Sequence, residues 1–305
     1  MLMAGPCWLA RAGVRHRSNM RFGWAVLGLA AMVTLGGSAA RAQASALPSA
    51  QAAPATTGDN RGRKLLDEMV TALGGDAWLH RKYWKIEGKV GSFYKGQPTE
   101  GVYAFEEYYR ANPFGQRDVI ITHFGPLAVL GLPGSDHRDD AVVWTPTEGW
   151  EVTYKGKKAL TEKETDEFRR RQTHTIDVVV NEWLKQPGVE VTYEGSDMVE
   201  RHLVDKVSVM TASNDVVTLH LDANTHLPLS RTYQYRDPQF KDIDTDTEQY
   251  DSYQPVQGIL TPFAVTRLHN GDIVSQRFIT KVTYMDTLPD EMFNPDLPLQ
   301  KKVKK

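Results

Sequence analysis

Cysteine is almost absent from the 305-residue chain: Cys7 is the only one. Disulfide scaffolds, Cys-based metal sites and thiol catalysis are therefore set aside. An excess of one charge is missing as well. With 36 Lys+Arg against 38 Asp+Glu and a formal net charge of −2, there is no electrostatic footprint for nucleic acid. No apolar run reaches the roughly 20 residues that a membrane-spanning helix needs; the longest, Phe22 to Leu35, has about 14. Local catalytic signatures are missing too: there is no G-x-S-x-G elbow, no H-E-x-x-H, no phosphate-binding glycine loop and no Cys pair.

What is present begins with a targeting pattern. Arg15, Arg17 and Arg21 precede the Phe22–Leu35 run, and Ala40-Arg41-Ala42 follows as an A-x-A cleavage site, so residues 1–42 read as a secretory signal peptide. Met20 would give a signal of more usual length than Met1. Cys7 falls inside the segment to be removed and no Cys stands at the cleavage site, which leaves no acceptor for a lipid anchor. A periplasmic or secreted protein is expected. Residues 43–60 are rich in Ala, Pro, Ser and Thr without periodicity and read as a flexible leader. Residues 61–298 carry the folded domain, and 299–305 form a basic tail with Lys301, Lys302, Lys304 and Lys305.

Within the domain the period of the apolar residues changes along the chain. Leu65, Leu66, Met69, Val70 and Leu73 make a helical stripe ended by Gly74-Gly75. From Tyr83 the period is two: Trp84, Ile86, Gly88 and Val90 share a face, and after a turn at Lys95-Gly96 so do Tyr103, Phe105, Glu107 and Tyr109. Strands follow at 116–124, 141–145 and 150–154. Thr161 and Glu164 form a Thr-x-x-Glu capping box, and the stripe Ile176, Val179, Val180, Trp183, Leu184 stops at Pro187-Gly188; the polar stretch Arg169–His174 between them predicts two helices, 162–172 and 174–185. Alternating runs around Val207, Val217 and Tyr233, and at 244–253 and 257–269, complete an antiparallel meander. Its clearest hairpin turns at Asn270-Gly271, with Val274, Phe278, Val282 and Tyr284 read as one face beyond it; Met292 and Phe293 then close onto the sheet.

Polar clusters offer weaker leads. Asp242, Asp244 and Asp246 imitate a calcium loop, but Thr247 replaces its glycine and Tyr253 its final glutamate, so they read as the solvated side of a strand. His220, Asp222 and His226 read as turn chemistry before metal ligation. Asp136, His137, Asp139 and Asp140, or His220 with His226, are where a secreted hydrolase would have its site. Arg169–Arg171 reads as a solvated helix face, or as a cationic patch for an anionic head group. The apolar loop 124–134, with Leu127, Val129, Leu130 and Leu132, reads as a loop tucked on the core or a lip over a cavity.

Aromatics dominate the strand faces. In a closed sandwich they would be plain core; on an open sheet covered by helices, Trp84, Tyr103, Phe105, Tyr233, Tyr235, Phe263 and Phe278, with Trp183 from the helices, would line an apolar groove. The turn Asp222–Pro228, the segment Tyr250–Pro262 and the ending Leu288–Pro295 resemble the periplasmic lipoprotein-carrier superfamily of LolA and LolB and the outer-membrane lipoprotein-sorting proteins. The resemblance covers roughly 61–296. It implies a mainly β (α+β) fold, a curved antiparallel sheet forming an incomplete β-barrel with a helical lid. It also implies a non-catalytic, cofactor-free carrier whose partners are lipid or lipoprotein acyl chains, with transient contacts at envelope membranes. No local motif anchors the family's gating residues, so none is assigned. A partner-binding envelope module using exposed strand edges is the alternative.

Overall fold

The computed structural model describes residues 58–297, apart from 100, 122, 125–135, 138, 154 and 200, together with residue 299. The signal and most of the leader, the apolar residues Leu127, Val129, Leu130 and Leu132, and the lysines of the tail lie outside the described residues.

Helix α1 spans Gly58–Leu73, starting three residues before the expected domain boundary at 61, and α2 spans Asp76–Leu79. The strands are β1 (Tyr83–Tyr94), β2 (Gln97–Pro98), β3 (Tyr103–Arg110), β4 (Gly115–Ile121), β5 (His123–Phe124), β6 (Asp136–His137), β7 (Asp140–Trp144), β8 (Gly149–Thr153) and β9 (Gly156–Ala159). Helices α3 (Glu162–Thr173) and α4 (Ile176–Asn181) follow, with a 3-10 turn at Trp183–Lys185. Then come β10 (Glu190–Val199), β11 (His202–Met210), β12 (Val216–Asp222), β13 (Pro228–Arg236), β14 (Ile243–Val256), β15 (Ile259–His269) and β16 (Asp272–Met285), and a 3-10 turn at Asp290–Phe293.

One 14-stranded sheet runs β10-β11-β12-β13-β14-β15-β16-β1-β3-β4-β7-β8-β9, with β2 on β1. Every pairing is antiparallel. The fold is mainly β, and β9 and β10 remain as separate edges, so the curved sheet is an incomplete barrel. The meander is sequential except where β16 returns beside β1, joining the two halves at mid-sheet. Because β9 and β10 are consecutive strands at opposite edges, the chain between them must cross the sheet. It does so as α3 and α4, which is why the helices lie over the inner face.

Caps define both helices. The Thr161 hydroxyl accepts from the Glu164 N–H, and the Glu164 carboxylate accepts from the Thr161 N–H, completing the capping box. The Thr175 hydroxyl caps α4 by accepting from the Val178 N–H, and its extended backbone separates the two helices. Below them, α1, α2 and α4 bury Leu66, Met69, Trp78 and Val179 against Val207, Val209, Val217, Leu219 and Leu221. Over the other half of the sheet, Phe168 of α3 packs on Trp144 and Val142.

One face assignment needs correction. Glu87 pairs with Lys281 but Gly88 with Ile279, so Thr280 is an extra residue and forms a β-bulge. Parity reverses there: Val282 packs inward, whereas Phe278 turns to the outer face and is 50 % exposed. Gly88 permits this close approach, since a Cβ at that position would lie 2.4 Å from the Phe278 carbonyl oxygen. Phe293 reaches the sheet as expected: it is buried, lies against Gly115, and carries the Arg110 guanidinium over its ring at 4.6 Å. Among the described residues no helix is long and apolar enough to cross a membrane.

Candidate functional site

Between α3 and the inner face of β13–β7 lies a cavity of about 310 Å³. Inward parity along β1 supplies Trp84 and Val90, β3 supplies Phe105, Glu107 and Tyr109, and β4 supplies Gln116, Asp118 and Ile120. Trp144 comes from β7, and Phe168, Arg171 and Gln172 come from α3. Trp84 stacks on Tyr109 at 3.9 Å between centroids and Trp144 on Phe168 at 3.7 Å, so the apolar wall is made of preassembled aromatic pairs. A smaller space of about 210 Å³, under α2 and α4, shares Thr175, Asp177, Arg231 and Glu248 with the first.

The floor is charged. Glu107 and Asp118 are directly opposite each other on β3 and β4, an arrangement that disfavours two like charges. Arg277 donates to Glu107 at 2.8 Å and lies 4.2 Å over the Phe105 ring. Burial first, and the neighbouring Glu107 charge second, push the Asp118 carboxyl up to about 7. The Gln116 amide donates to both Asp118 oxygens, at 3.0 and 2.9 Å, and accepts from Gln172 of α3 at 2.8 Å. One hydrogen-bonded chain thus links the helix to the acidic floor.

A pH signature follows. The protonated Asp118 is the form the fold favours, so its contribution is fully present below the ordinary carboxylate range and is lost as pH rises through about 7. Asp118→Asn, whose amide can still donate to Glu107, is expected to be more stable than the parent at pH 8 by about 1–2 kcal/mol and nearly equal at pH 4. Thermal melts at both pH values check this; equal melting differences at the two would contradict it.

On β13–β15 the row reads Arg231, Glu248, Arg267 across three neighbouring strands. Arg231 is buried; its Nε donates to the Glu248 carboxylate at 3.1 Å and to the Tyr250 hydroxyl at 2.9 Å, and its Nη1 to the His174 carbonyl at 2.7 Å. That last bond ties the α3–α4 junction to the sheet. Burial and the adjacent Arg267 guanidinium pull Arg171 down to about 10, which leaves it a cation at neutral pH.

Of the residues expected to line a groove, Trp84 and Phe105 face the cavity. Tyr103 packs against Val90, Phe105 and Ile120 beside it. Tyr233 and Trp183 are buried in the main core, each against the His174 ring, with Tyr235 packed on the same core. Phe263 is half-buried and Phe278 is on the outer face; neither lines the cavities described. The Arg169–Arg171 run is a solvated face only at Arg169, which is exposed and donates to the Thr147 carbonyl; Arg170 lies 3.8 Å over the Tyr235 ring and Arg171 lines the cavity. Asp244 and Asp246 are not solvated either. Asp246 accepts from the Tyr233 hydroxyl at 2.8 Å and pairs with His269 at 2.9 Å, while Asp244 accepts from Asn270 at 2.9 Å.

Asp222 serves its turn, accepting from the Asn224 N–H at 3.0 Å and the Thr225 N–H at 2.8 Å. His220 contacts the Ser230 hydroxyl at 3.0 Å and His226 lies 3.9 Å from Glu68. The side chains of Asp136 and His137 lie outside what is described. The charged floor was the part missed in the sequence. Glu107 and Arg267 do fall at inward-facing positions beside apolar residues, which is the signal that would have found them.

Comparison with solved structures returns architectures similar to this one. A DUF1329 family protein from Desulfovibrio piger is 12% identical over 77% of this chain and 97% of its own, with a TM-score of 0.46. An outer membrane lipoprotein-sorting protein domain from Vibrio parahaemolyticus is 9% identical, covering 79% of this chain and 97% of that one, at a TM-score of 0.41. A LolA superfamily protein from Nitrosomonas europaea is 11% identical, with 76% and 97% covered and a TM-score of 0.42. No family model matches the sequence, and neither does any curated protein.

Proposed function

We propose that the chain is a non-catalytic carrier that shields a lipid or acyl chain in the cavity under α3, in the periplasm or outside the cell after removal of residues 1–42. The observation that carries this reading is the cavity itself: about 310 Å³ on the helix-covered face of an open sheet, walled by Trp84, Val90, Phe105, Ile120, Trp144 and Phe168. Its volume is at the lower end of the roughly 300–1,000 Å³ usual for ligand sites, which suits one chain better than several. An open sheet roofed by helices can admit such a chain by moving the roof, whereas a closed barrel has only its ends. Exchange between membranes would follow from differences in affinity and needs no bond to be broken.

Uptake of a fluorescent fatty-acid analogue, read by quenching of Trp84 and Trp144, tests the reading. Saturable binding is expected in the parent, weakened about tenfold or more in Val90→Trp, whose added ring fills the cavity. Absence of saturable uptake by the folded parent, or undiminished uptake by a folded Val90→Trp, would remove it.

A further inference from the structure

Charged groups line the cavity at both ends, and the strand order decides how each is paired. Over β1, β3, β4 and β7 the lining is Trp84, Val90, Phe105, Ile120 and Trp144, with the acids Glu107 and Asp118 set among them. Over β13–β15 and under α3 the lining holds three arginines, Arg171, Arg231 and Arg267, and three glutamates, Glu164, Glu167 and Glu248. The register places one carboxylate, Glu248, between Arg231 and Arg267. Arg231 takes it, with Nη2 at 3.0 Å and Nε at 3.1 Å, whereas the Arg267 Nε lies at 4.0 Å.

Arg171 enters the same space from α3, and among the described residues it forms no ion pair. Of the acids whose fields reach it, Asp246 is engaged elsewhere, while Glu167, one turn earlier on α3, is shared with Lys163. Asp246 pairs with His269 at 2.9 Å and accepts from the Tyr233 hydroxyl, and Glu167 lies 3.9 Å from Lys163. Two guanidinium groups, Arg171 and Arg267, thus line one end of a partly apolar cavity, and the Arg267 charge works against the one on Arg171. Such a pair is stabilised by an anion that both can bind. At the opposite end Arg277 is already paired with Glu107 at 2.8 Å, which suits an uncharged group better than an anion.

We propose that the cavity selects anionic single-chain amphiphiles, the carboxylate or phosphate head held between Arg171 and Arg267 and the tail laid over Trp84, Phe105, Ile120 and Trp144. The inference rests on the carrier reading and narrows it to a class of ligand. The chemistry shared by a fatty acid and an alkyl phosphate is an oxyanion with two or more acceptor oxygens, which matches the forked donors of arginine.

The test uses the full-length chain, purified without detergent and titrated by calorimetry with lauric acid, dodecyl phosphate, dodecanol and inorganic phosphate. Either charged amphiphile is expected to bind about tenfold or more tightly than dodecanol, the gain that charge-assisted hydrogen bonds supply. In Arg171→Gln and Arg267→Gln that advantage is expected to fall to about threefold or less, while dodecanol binding is unchanged and Arg171→Lys keeps part of the preference. Equal binding of dodecanol and the charged amphiphiles would overturn the head-group assignment and leave the carrier reading standing. Inorganic phosphate binding as tightly as dodecyl phosphate would show a site for the free anion and overturn the amphiphile. Binding of none of the probes would remove the carrier reading as well. The ranking of probes on the parent decides the matter even where a variant fails to fold.

Discussion

Arg231→Ala is expected to cost about 3–5 kcal/mol, the range for removing one partner of a buried ion pair. At this chain's size that corresponds to a fall of roughly 10 °C in Tm. The side chain is 4% exposed and serves three acceptors at once: the Glu248 carboxylate, the Tyr250 hydroxyl and the His174 carbonyl. Burial works against a charge on Glu248, yet the Arg231 and Arg267 charges hold its carboxyl below the usual range. Without Arg231 that carboxylate keeps the Tyr250 hydroxyl, at 2.9 Å, and only one cation, Arg267, at 4.0 Å among the described residues. Glu248→Gln in the Arg231→Ala background should therefore recover part of the loss, as coupling between neighbours requires. A loss below about 1 kcal/mol in the single variant would show that the row is not the fastening described.

The second large effect belongs to Phe168. Its ring lies 3.7 Å from that of Trp144 with 2° between the planes, and it is buried with Trp144 and Val142. Phe168→Ala is expected to destabilise by about 3–4 kcal/mol through lost burial and the void left on the cavity wall. The damage should be uneven. Helix α3 is also held by its capping box and by the Gln172–Gln116 bond, whereas α4 sits on the main core through Val179. Hydrogen exchange should therefore quicken most in α3, with α1 and β11–β12 less affected. Uniform acceleration over the whole sheet would mean that α3 is not a separable roof.

Much of this architecture is legible in the sequence, for physical reasons that can be named. The Asn270-Gly271 turn has φ of 51° and 84°, the backbone that dipeptide favours, and it sets the β15–β16 pairing. The capping box at Thr161 and the Thr175 cap fix where the helices start whatever lies beneath them. Edge strands are harder to see. All of Gly156–Ala159 in β9 is exposed, so it carries no alternation, and β10 is broken at Gly195, where φ is 105° and the register shifts. The bulge at Thr280 has no sequence signal of its own, which is why parity alone puts Phe278 on the wrong face. The site was only half visible. Aromatic positions in strands show at a glance, but Arg171, Arg267 and Arg277 become cavity residues only when the crossover lays α3 over the sheet. Asp246 likewise looks solvated until His269 returns beside it across the hairpin.

Native mass spectrometry combined with lipid extraction, on the chain purified from a bacterial periplasm without detergent, tests the central claim most directly. The account predicts a bound species of lipid mass, one per chain, that survives gentle transfer and is recovered in the extract as an amphiphile with an acidic head group. A clean ligand-free mass, together with no uptake of added lauric acid by the same folded sample, would contradict it and leave the aromatic wall as ordinary core.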